Sequence, residues 1–253
     1  MEIITTRKAL KETLDQHRRS GRSVGIVPTM GALHAGHISL VERALAGNDV
    51  VVCTIFVNPT QFNDPNDLER YPRPIENDKK MLAKTACHIL FLPDADEMYP
   101  EGEPAWNLDL EGLDTVLEGA HRPGHYQGVT QVVYKLLSAG MPCTAYFGQK
   151  DYQQFRVLAH MVDVKKMEVN LVRCAIVREP DGLAMSSRNV HLSPGEHERA
   201  LVLSRTLSWL QQHYTERDAL SEARAMIERT PGVELDYLEI VDGNRMEPVS
   251  PLK

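Results

Sequence analysis

Cysteine is scarce in this sequence, and the spacing of the few that occur excludes two kinds of scaffold. The four are Cys53, Cys87, Cys143 and Cys174, and no two of them form a Cys-x-x-Cys pair. Cys53 and Cys87 lie in or beside apolar runs, where a free thiol packs as a small hydrophobic group. We therefore expect neither a disulfide framework nor a structural zinc site, and the predicted compartment is a reducing cytoplasm.

Long apolar runs and dense basic clusters are also missing. No segment reaches the roughly 18 consecutive apolar residues of a membrane-spanning helix, and the first residues lack a signal-peptide pattern. The net charge is −7 and no run of Lys and Arg stands out, so neither a membrane nor a nucleic-acid partner is expected. A length of 253 residues with 42% hydrophobic residues is typical of a globular enzyme with one large domain, or one large and one small domain.

One stretch carries most of the functional information. Residues 28–37 are Pro-Thr-Met-Gly-Ala-Leu-His-Ala-Gly-His; they follow an apolar run at 24–27 that predicts a buried strand and precede an amphipathic run at 38–46 that predicts a helix. A strand that turns into a helix leaves backbone N–H groups free at the helix start, and these attract anions. Gly31 and Gly36 would let a phosphate approach the backbone closely.

The two histidines of this stretch strengthen that interpretation. His34 and His37 are three residues apart, so they project from one side of the first helical turn. There they can donate hydrogen bonds to phosphate oxygens whose charge grows in a transition state. A single histidine near a helix start is commonly a cap or a surface residue, whereas two histidines with a glycine between them, directly after a buried strand, favour the anion site.

A second predicted strand follows at residues 50–57. Its almost unbroken apolar sequence is typical of a strand buried on both faces in a parallel sheet covered by helices. Residues 24–57 thus predict a right-handed strand–helix–strand unit. Ligands of such sheets bind beyond the carboxyl ends of the strands, so Gln61 is a candidate for substrate binding, because its amide both donates and accepts. The alternative is a loop glutamine in water.

Three further strands are predicted at 88–92, 144–147 and 169–172. The middle one leads into Gly148-Gln149-Lys150-Asp151 and a helix at 152–162, with Asp151 as the predicted cap. Lys150 is a compact, mobile cation that could follow a phosphate. The alternative is a surface lysine without a functional role. The position of Lys150 at the ligand edge of the sheet favours a functional role.

A glycine-rich segment at 118–129 leaves two interpretations open. It is either a second anion-binding helix start or a conformational loop before the helix predicted at 129–138. His121 and His125 have helical spacing, but a proline and a glycine lie between them, so a metal-binding histidine pair is not expected. Upstream, residues 106–110 alternate between apolar and polar and predict a half-exposed strand.

The part of the chain after residue 184 begins with a second polar motif. Residues 185–189 are Met-Ser-Ser-Arg-Asn, in which two hydroxyls and a guanidinium can grip a phosphate. Alone this is a weak signal, because Ser-Ser-Arg is common in loops. The capping box at 193–196 then predicts a helix to residue 213, followed by a helix near 221–229 and a strand at 235–241.

The two motifs at 28–37 and 185–189 resemble the signatures of the HxGH nucleotidyltransferase group, which also includes class I aminoacyl-tRNA synthetases. The form Met-Ser-Ser-Arg-Asn resembles the pantoate–β-alanine ligase family in particular, and the absence of a basic cluster argues against a synthetase. Other segments are similar to that family in the same order: Phe-Val-Asn-Pro-Thr-Gln-Phe at 56–62, Tyr-Pro-Arg at 71–73, Arg-Pro-Gly-His-Tyr-Gln-Gly-Val at 122–129 and Gly-Gln-Lys-Asp at 148–151. Gln149 stands where the family has glutamate, and Tyr126 where it has phenylalanine.

The resemblance implies a fold and a reaction. The fold is an α/β Rossmann-like domain with a parallel sheet at 1–184 and a small α+β C-terminal lid domain at 185–253, with a hinge near 186–192. The reaction is an ATP-dependent, AMP-forming ligation: the pantoate carboxylate attacks the α-phosphorus of ATP, and the β-alanine amine then displaces AMP from pantoyl adenylate. Mg²⁺ is expected to bridge the phosphates, and the enzyme is expected to be a cytoplasmic homodimer.

The resemblance also implies roles for individual residues. Gln61 and Gln154 are expected to bind pantoate, and Asp78 is expected to lie near Mg²⁺, although an aspartate in the first turn of a helix is also favoured by the helix dipole alone. The residues expected to stabilise the negative charge of the phosphates are His34, His37, Lys150, Ser186, Ser187 and Arg188. The nucleotide is expected to contact Met30, Gly31, Ala32, Leu33, His34, Ala35, Gly36, His37, Gly148, Gln149, Lys150, Asp151, Val177, Met185, Ser186, Ser187 and Arg188.

Two other functions stay open at this point. One is a different nucleotidylyltransferase, whose released product keeps the nucleotide. The other is a nucleotide-binding module that retained the fold without catalysis. Free AMP and an amide product from pantoate, β-alanine and ATP would distinguish the ligase from the first, and pyrophosphate–ATP exchange that requires pantoate alone would exclude the second.

Overall fold

A six-stranded parallel sheet forms the centre of the molecule. The computed structural model describes residues 1–249, so the last four residues of the predicted C-terminal domain lie outside the described part. The order of the strands in the sheet is β1-β4-β3-β2-β5-β6, and every pairing is parallel. The strands are β1 (Glu2–Ile4), β2 (Val24–Thr29), β3 (Val50–Ile55), β4 (Ile89–Phe91), β5 (Cys143–Gly148) and β6 (Val169–Cys174).

Ten α-helices connect and cover these strands in the described part of the chain, which confirms the predicted α/β class. None of them combines the length and the apolarity that a bilayer crossing requires. Their bounds are α1 (Arg7–Arg19), α2 (Ala35–Leu45), α3 (Pro65–Arg70), α4 (Ile75–Ala83), α5 (Ala95–Met98), α6 (Glu118–His121), α7 (His125–Gly140), α8 (Tyr152–Val164), α9 (Pro194–His213) and α10 (Ala219–Glu228).

The central strands are buried on both faces, as their apolar sequences predict. Along β2 and β3, side chains alternate between the two faces. Ile26 and Val52 lie in a large apolar cluster with Leu14 of α1. Val27 and Val51 lie in a second cluster on the opposite face of the sheet, which also contains residues of α2.

The order in which the chain adds strands to the sheet reverses between β4 and β5. From β2 it passes to β3 and β4 on one side, and then crosses to β5 and β6 on the other. Because β2 and β5 are neighbours, the segments that follow them diverge and leave a crevice at the carboxyl edge, which is where ligands bind in open α/β sheets. Residues 30–37 follow β2 and residues 149–151 follow β5 at this edge.

Two of the predicted strands are wrong. Residues 106–110 are irregular, because the side chain of Gln127 takes the place of a neighbouring strand: it accepts from Leu108 N at 3.0 Å and donates to Leu108 O at 2.8 Å. Residues 235–241 contain no strand beyond an isolated bridge from Val241 to Pro248. There the Arg224 guanidinium donates to the carbonyl of Leu238 at 2.9 Å.

The C-terminal part has an apolar cluster of its own. Helices α9 and α10 pack together, and Leu210, Ala223, Ile227 and Leu238 are buried between them and the following segment. The capping box predicted at the start of α9 is present, with Ser193 and Glu196 in reciprocal hydrogen bonds. A separate small core is consistent with a second structural unit after residue 184, and the boundary itself stays a prediction.

A glycine in α7 controls how closely this helix approaches the turn after β3. A Cβ atom at Gly128 would lie 2.4 Å from the backbone oxygen of Thr60. Alanine is normally more stable than glycine in a helix by about 1 kcal/mol. We expect the opposite for Gly128→Ala, a loss of about 1–3 kcal/mol in the free energy of unfolding in urea, because backbone would have to move.

Gly195→Ala in the first turn of α9 is the matched control. Its Cβ would meet only the end of the flexible Arg199 side chain, at 3.4 Å. Its stability should be unchanged or higher. Equal gains for both variants would show that α7 and the turn are not in close contact.

Candidate active site

A cleft of about 720 Å³ opens at the carboxyl edge between β2 and β5. It brings together residues that are far apart in the sequence and that were predicted to act together. The predicted site residues that line it are Met30, His34, Gly36, His37, Gln61, Gly148, Lys150, Asp151, Gln154, Val177, Met185, Ser186, Ser187 and Arg188. Gly31, Ala32, Leu33, Ala35, Asp78 and Gln149 are not among the lining residues.

The two histidines of the first motif cap their own helix. His34 is the N-cap of α2, and its Nδ1 accepts from the backbone N–H of Gly36 at 3.1 Å. Nδ1 of His37 accepts from the backbone N–H of His34 at 3.3 Å. A neutral imidazole that accepts at Nδ1 carries its proton at Nε2. Both rings, 4.1 Å apart between centroids, are therefore Nε2–H donors.

Burial keeps both histidines neutral. It is the main cause that lowers the pKa of His37 to about 3, and the neighbouring His34 and Lys150 add to the effect. The pKa of His34 is also lowered, first by burial and then by Lys150, while Glu179 opposes the shift. The histidines therefore offer hydrogen bonds to an anion, whereas positive charge comes from Lys150 and Arg188, each of which is paired with an aspartate.

The turn before α2 differs from its predicted form. Gly31 and Ala32 both have positive φ, at 80° and 50°. The backbone N–H groups of Ala32 and Leu33 donate to the two carboxylate oxygens of Asp78, at 2.9 and 2.8 Å. Asp78 is 1% exposed, so its charge is satisfied inside the protein and it does not reach the cleft.

The prediction of free backbone N–H groups at this helix start is wrong for most of the turn. Besides the two bonds to Asp78, Gly31 N donates to Thr29 Oγ1 at 3.1 Å and His37 N to His34 O at 2.8 Å. Because these hydrogen bonds and the capping bonds of the two histidines occupy the backbone N–H groups, side chains rather than backbone amides are available to bind a ligand. The turn thus serves to fix the two imidazole rings.

The second motif lies directly beside the first. Met185 Cβ is 3.6 Å from the position of a Cβ on Gly36. The Arg188 guanidinium forms a two-point ion pair with Asp67, with Nη2–Oδ2 at 2.9 Å and Nε–Oδ1 at 3.2 Å. The hydroxyls of Ser187 and Tyr71 are 3.2 Å apart. The segment from 185 to 188 is therefore held against α3 and the residue after it.

Lys150 lies at the mouth of the cleft in a short 3-10 turn that follows β5. Its ammonium is 3.2 Å from the Asp151 carboxylate, and both side chains are partly exposed. Asp151 occupies the cap position of α8, but its side chain makes no capping hydrogen bond. The predicted capping role of Asp151 is therefore wrong, because the carboxylate pairs with Lys150 instead.

A second group of polar side chains in the cleft is built around Gln61, whose Nε2 donates to Met30 Sδ at 3.1 Å. Its Oε1 accepts from Asn58 Nδ2 at 3.2 Å, and Asn58 is fully buried. The backbone oxygen of Gln61 accepts from Nδ1 of His125 at 2.7 Å. Asn58, His125 and Asp67 were not predicted as site residues from the sequence. Asn58 and His125 lie in the segments 56–62 and 122–129, whose resemblance to a known family could have indicated them, whereas Asp67 lies in a polar loop without such a signal.

The part of the chain that the structure describes contains one cluster with metal-ligating atoms in reach of one another. Glu179, Asp181 and His197 place these atoms within 4.8 Å. His197 Nε2 is 2.6 Å from Asp181 Oδ2, and none of the three residues lines the cleft.

The protonation of the two histidines can be measured directly. We expect imidazole ¹⁵N spectra at pH 7 to show a protonated Nε2 and an unprotonated Nδ1 in both rings, with His34→Gln and His37→Gln variants providing the assignments. His37 should stay neutral until the pH approaches 3. An unfolded histidine takes up its proton at about pH 6.5, so stability should fall as the pH drops below that value toward the pKa of the folded state. A His37 that is doubly protonated at pH 6 would contradict the assignment.

Known proteins are similar in sequence to this chain over nearly its whole length. The family model for pantoate-beta-alanine ligase matches residues 2–252. The pantothenate synthetase of Bacteroides thetaiotaomicron is 47% identical over 254 residues, covering 99% of this chain and 89% of the relative. That of Thermotoga neapolitana is 49% identical over 256 residues, covering 98% and 90%.

Solved structures agree with the sequences. Pantothenate synthetase from Thermus thermophilus has a TM-score of 0.93 and 41% identity, covering 100% of this chain and 91% of that one. A pantoate-beta-alanine ligase from Francisella tularensis, complexed with beta-gamma ATP and beta-alanine, has a TM-score of 0.77 and 36% identity, covering 89% and 86%. The fold, the two motifs at one cleft and the matches along the chain lead to one conclusion: this chain belongs to the pantoate–β-alanine ligase family.

Proposed function

We propose that this chain condenses (R)-pantoate with β-alanine, using ATP and releasing AMP and pyrophosphate, through a pantoyl-adenylate intermediate. One observation carries the proposal: the motifs ending at residue 37 and beginning at residue 185 meet in a single cleft with Lys150. The donors of this end of the cleft suit phosphates, and the amides at the other end suit a small hydroxy acid. The family match supports the same pair of substrates.

In the first step a pantoate carboxylate oxygen attacks the α-phosphorus, and the bond to pyrophosphate breaks. Such transfers need positioning and charge neutralisation more than covalent help. The Nε2–H groups of His34 and His37 are assigned to the phosphate oxygens, and Lys150 and Arg188 supply positive charge. Ser186 and Ser187 add hydroxyl donors.

The two ends of the cleft divide the substrates between them. Gln61 and Gln154 are proposed to hold the polar groups of pantoate, and the apolar side chains of α7 that line the cleft suit its two methyl groups. Met30, Val177 and Met185 are proposed to border the nucleoside. In the second step the β-alanine nitrogen attacks the acyl carbon, and AMP leaves with the electron pair of the C–O bond.

Mg²⁺ is proposed to enter the cleft on the phosphates of ATP. It keeps several waters and binds few protein groups when phosphates are present. The fit of Asp78 as a ligand is poor, because both of its oxygens accept backbone hydrogen bonds and the carboxylate is buried. Asp78 is therefore assigned to the turn before α2 and not to the metal.

The C-terminal part is proposed to act as a lid. Tyr237, Val241 and Met246 line the cleft, and the Tyr237 hydroxyl is 3.3 Å from Glu118 Oε2. These contacts support a lid role for the segment after α10. A homodimer and a cytoplasmic location are further parts of the proposal, supported by the family resemblance.

Pantoate-dependent exchange of pyrophosphate into ATP tests the first step without β-alanine. We expect exchange only when pantoate is present, and β-alanine should then release free AMP and an amide. A product that keeps the nucleotide would indicate a different nucleotidylyltransferase. Absence of exchange at saturating pantoate and ATP would refute the proposed ligase.

Removing single phosphate donors should slow adenylate formation. His37→Asn keeps an acceptor near the position of Nδ1, and so keeps the cap on His34 N, but removes the Nε2–H donor. We expect this variant and Lys150→Ala to form pantoyl adenylate about 10²–10³-fold more slowly in single-turnover assays. His160→Ala and Lys165→Ala, on α8 and the residue after it and away from the cleft lining, are the controls. Wild-type rates in the first pair would contradict the assigned roles.

A further inference from the structure

The cleft contains a buried histidine that the first step does not use. His125 begins α7 and is 7% exposed. Its ring lines the cleft at the same end as Gln61. Its Nδ1 is bonded to Gln61 and not to the start of α2, so its role is not that of the capping pair His34 and His37.

The contact with Gln61 fixes the tautomer of His125. Nδ1 is 2.7 Å from the backbone oxygen of Gln61. A carbonyl oxygen only accepts, so Nδ1 carries the proton, and the lone pair of the neutral ring is on Nε2. Among residues 1–249, Nε2 has no hydrogen-bond partner, and this atom is not completely buried. This is the reverse of the arrangement in His34 and His37, whose free Nε2 atoms donate.

The groups around His125 keep its imidazole uncharged. Burial is the main cause that lowers the pKa of His125, and the Arg122 guanidinium also lowers it. The Gln61 carbonyl, Glu118 and Asp151 act in the opposite direction. The adjacent Tyr126 ring, 5.0 Å away between centroids, has a raised pKa because of burial, and so it carries no charge. The net result is a neutral imidazole at pH 7.

The second half-reaction needs a group of this kind. An alkylammonium such as that of β-alanine has a pKa of about 10, so at neutral pH the incoming nitrogen is protonated and has no lone pair for attack. Arg122 lies beside His125, with Nη2 3.4 Å from the same Gln61 oxygen. A fixed positive charge makes a neighbouring ammonium easier to deprotonate.

We propose that His125 is the general base for the amine in the second step, an inference that rests on the function proposed above. The ammonium loses two protons on its way to an amide. One passes to Nε2 of His125, which frees the lone pair that forms the C–N bond to the acyl carbon. The second passes to solvent as the C–O bond to AMP breaks, and the imidazolium then returns its proton to water.

Two variants distinguish the role of His125 as a base from the role of its hydrogen bond in positioning Gln61. His125→Asn retains an N–H near the position of Nδ1 and removes Nε2, whereas His125→Gln places an amide near Nε2. His160→Asn is the control, since His160 lies on α8 and does not line the cleft. For each variant, pantoate-dependent pyrophosphate–ATP exchange reports the first step. Rapid-quench transfer from preformed, enzyme-bound pantoyl adenylate to β-alanine reports the second.

For His125→Asn we expect exchange within about threefold of wild type and a transfer to β-alanine that is about 10²–10⁴-fold slower at pH 7. Transfer by the variant should rise with pH toward the pKa of the free amine, while wild-type transfer should be less dependent on pH. Hydroxylamine, which is unprotonated at neutral pH, should restore transfer by His125→Asn to within a few-fold of wild type. The His125→Gln variant, which also loses the hydrogen bond to the Gln61 carbonyl, should show the same loss of transfer together with a slower exchange.

Three results would overturn the inference. They are transfer to β-alanine at the wild-type rate, equal losses in exchange and transfer, and equal losses with β-alanine and hydroxylamine. An equal loss in both steps would mean that His125 only positions Gln61. A wild-type enzyme without pantoate-dependent exchange would instead refute the proposed function, so the two failures are distinguishable.

Discussion

The bond between a buried carboxylate and a strained turn underlies the whole site. Asp78 of α4 accepts from the backbone N–H groups of Ala32 and Leu33, and hydrogen bonds to a charged acceptor are roughly twice as strong as neutral ones. A charge in this position is costly unless its oxygens are bonded, and a turn with two successive positive φ values needs support from its surroundings. The carboxylate and the turn therefore stabilise each other. The position of this turn determines that His34 falls at the N-cap of α2 and His37 three residues later.

The sheet determines what this turn faces. Because β2 and β5 are neighbours, the capped histidines and Lys150 reach the same crevice from different parts of the chain. The opposite end of the crevice depends on a close approach of α7 to the turn after β3. There Asn58 donates to the Gly128 carbonyl at 3.1 Å as well as to Gln61, a contact that a side chain at Gly128 would disrupt.

Much of the scaffold could be predicted from sequence, because long apolar runs and capping residues are local signals. The meeting of residues 28–37 with 185–188 could also be anticipated, since the two segments resemble the two signatures of one nucleotidyltransferase group. The ion pair of Arg188 with Asp67 could not, because it joins residues 121 positions apart and α3 carries only a weak pattern. The role of Asp78 could not be predicted from sequence, because an aspartate in the first turn of a helix can interact with the helix dipole, with a metal or with a neighbouring turn. Its hydrogen bonds to the turn before α2 are evident only in the folded structure. Alternation at 106–110 was a true signal of partial burial, but a glutamine side chain supplies the hydrogen bonds there.

The pairing of Arg188 with Asp67 has a consequence for selectivity. A guanidinium already held at two points by a carboxylate offers little net attraction to a small stray anion such as chloride, because that anion would have to displace a well-matched partner. The positive charge that borders the cleft is thus partly neutralised by the protein's own carboxylates, Asp67 beside Arg188 and Asp151 beside Lys150. Under the proposed function, a chain of three linked phosphates would meet several donors at once and so would be favoured over a single small anion.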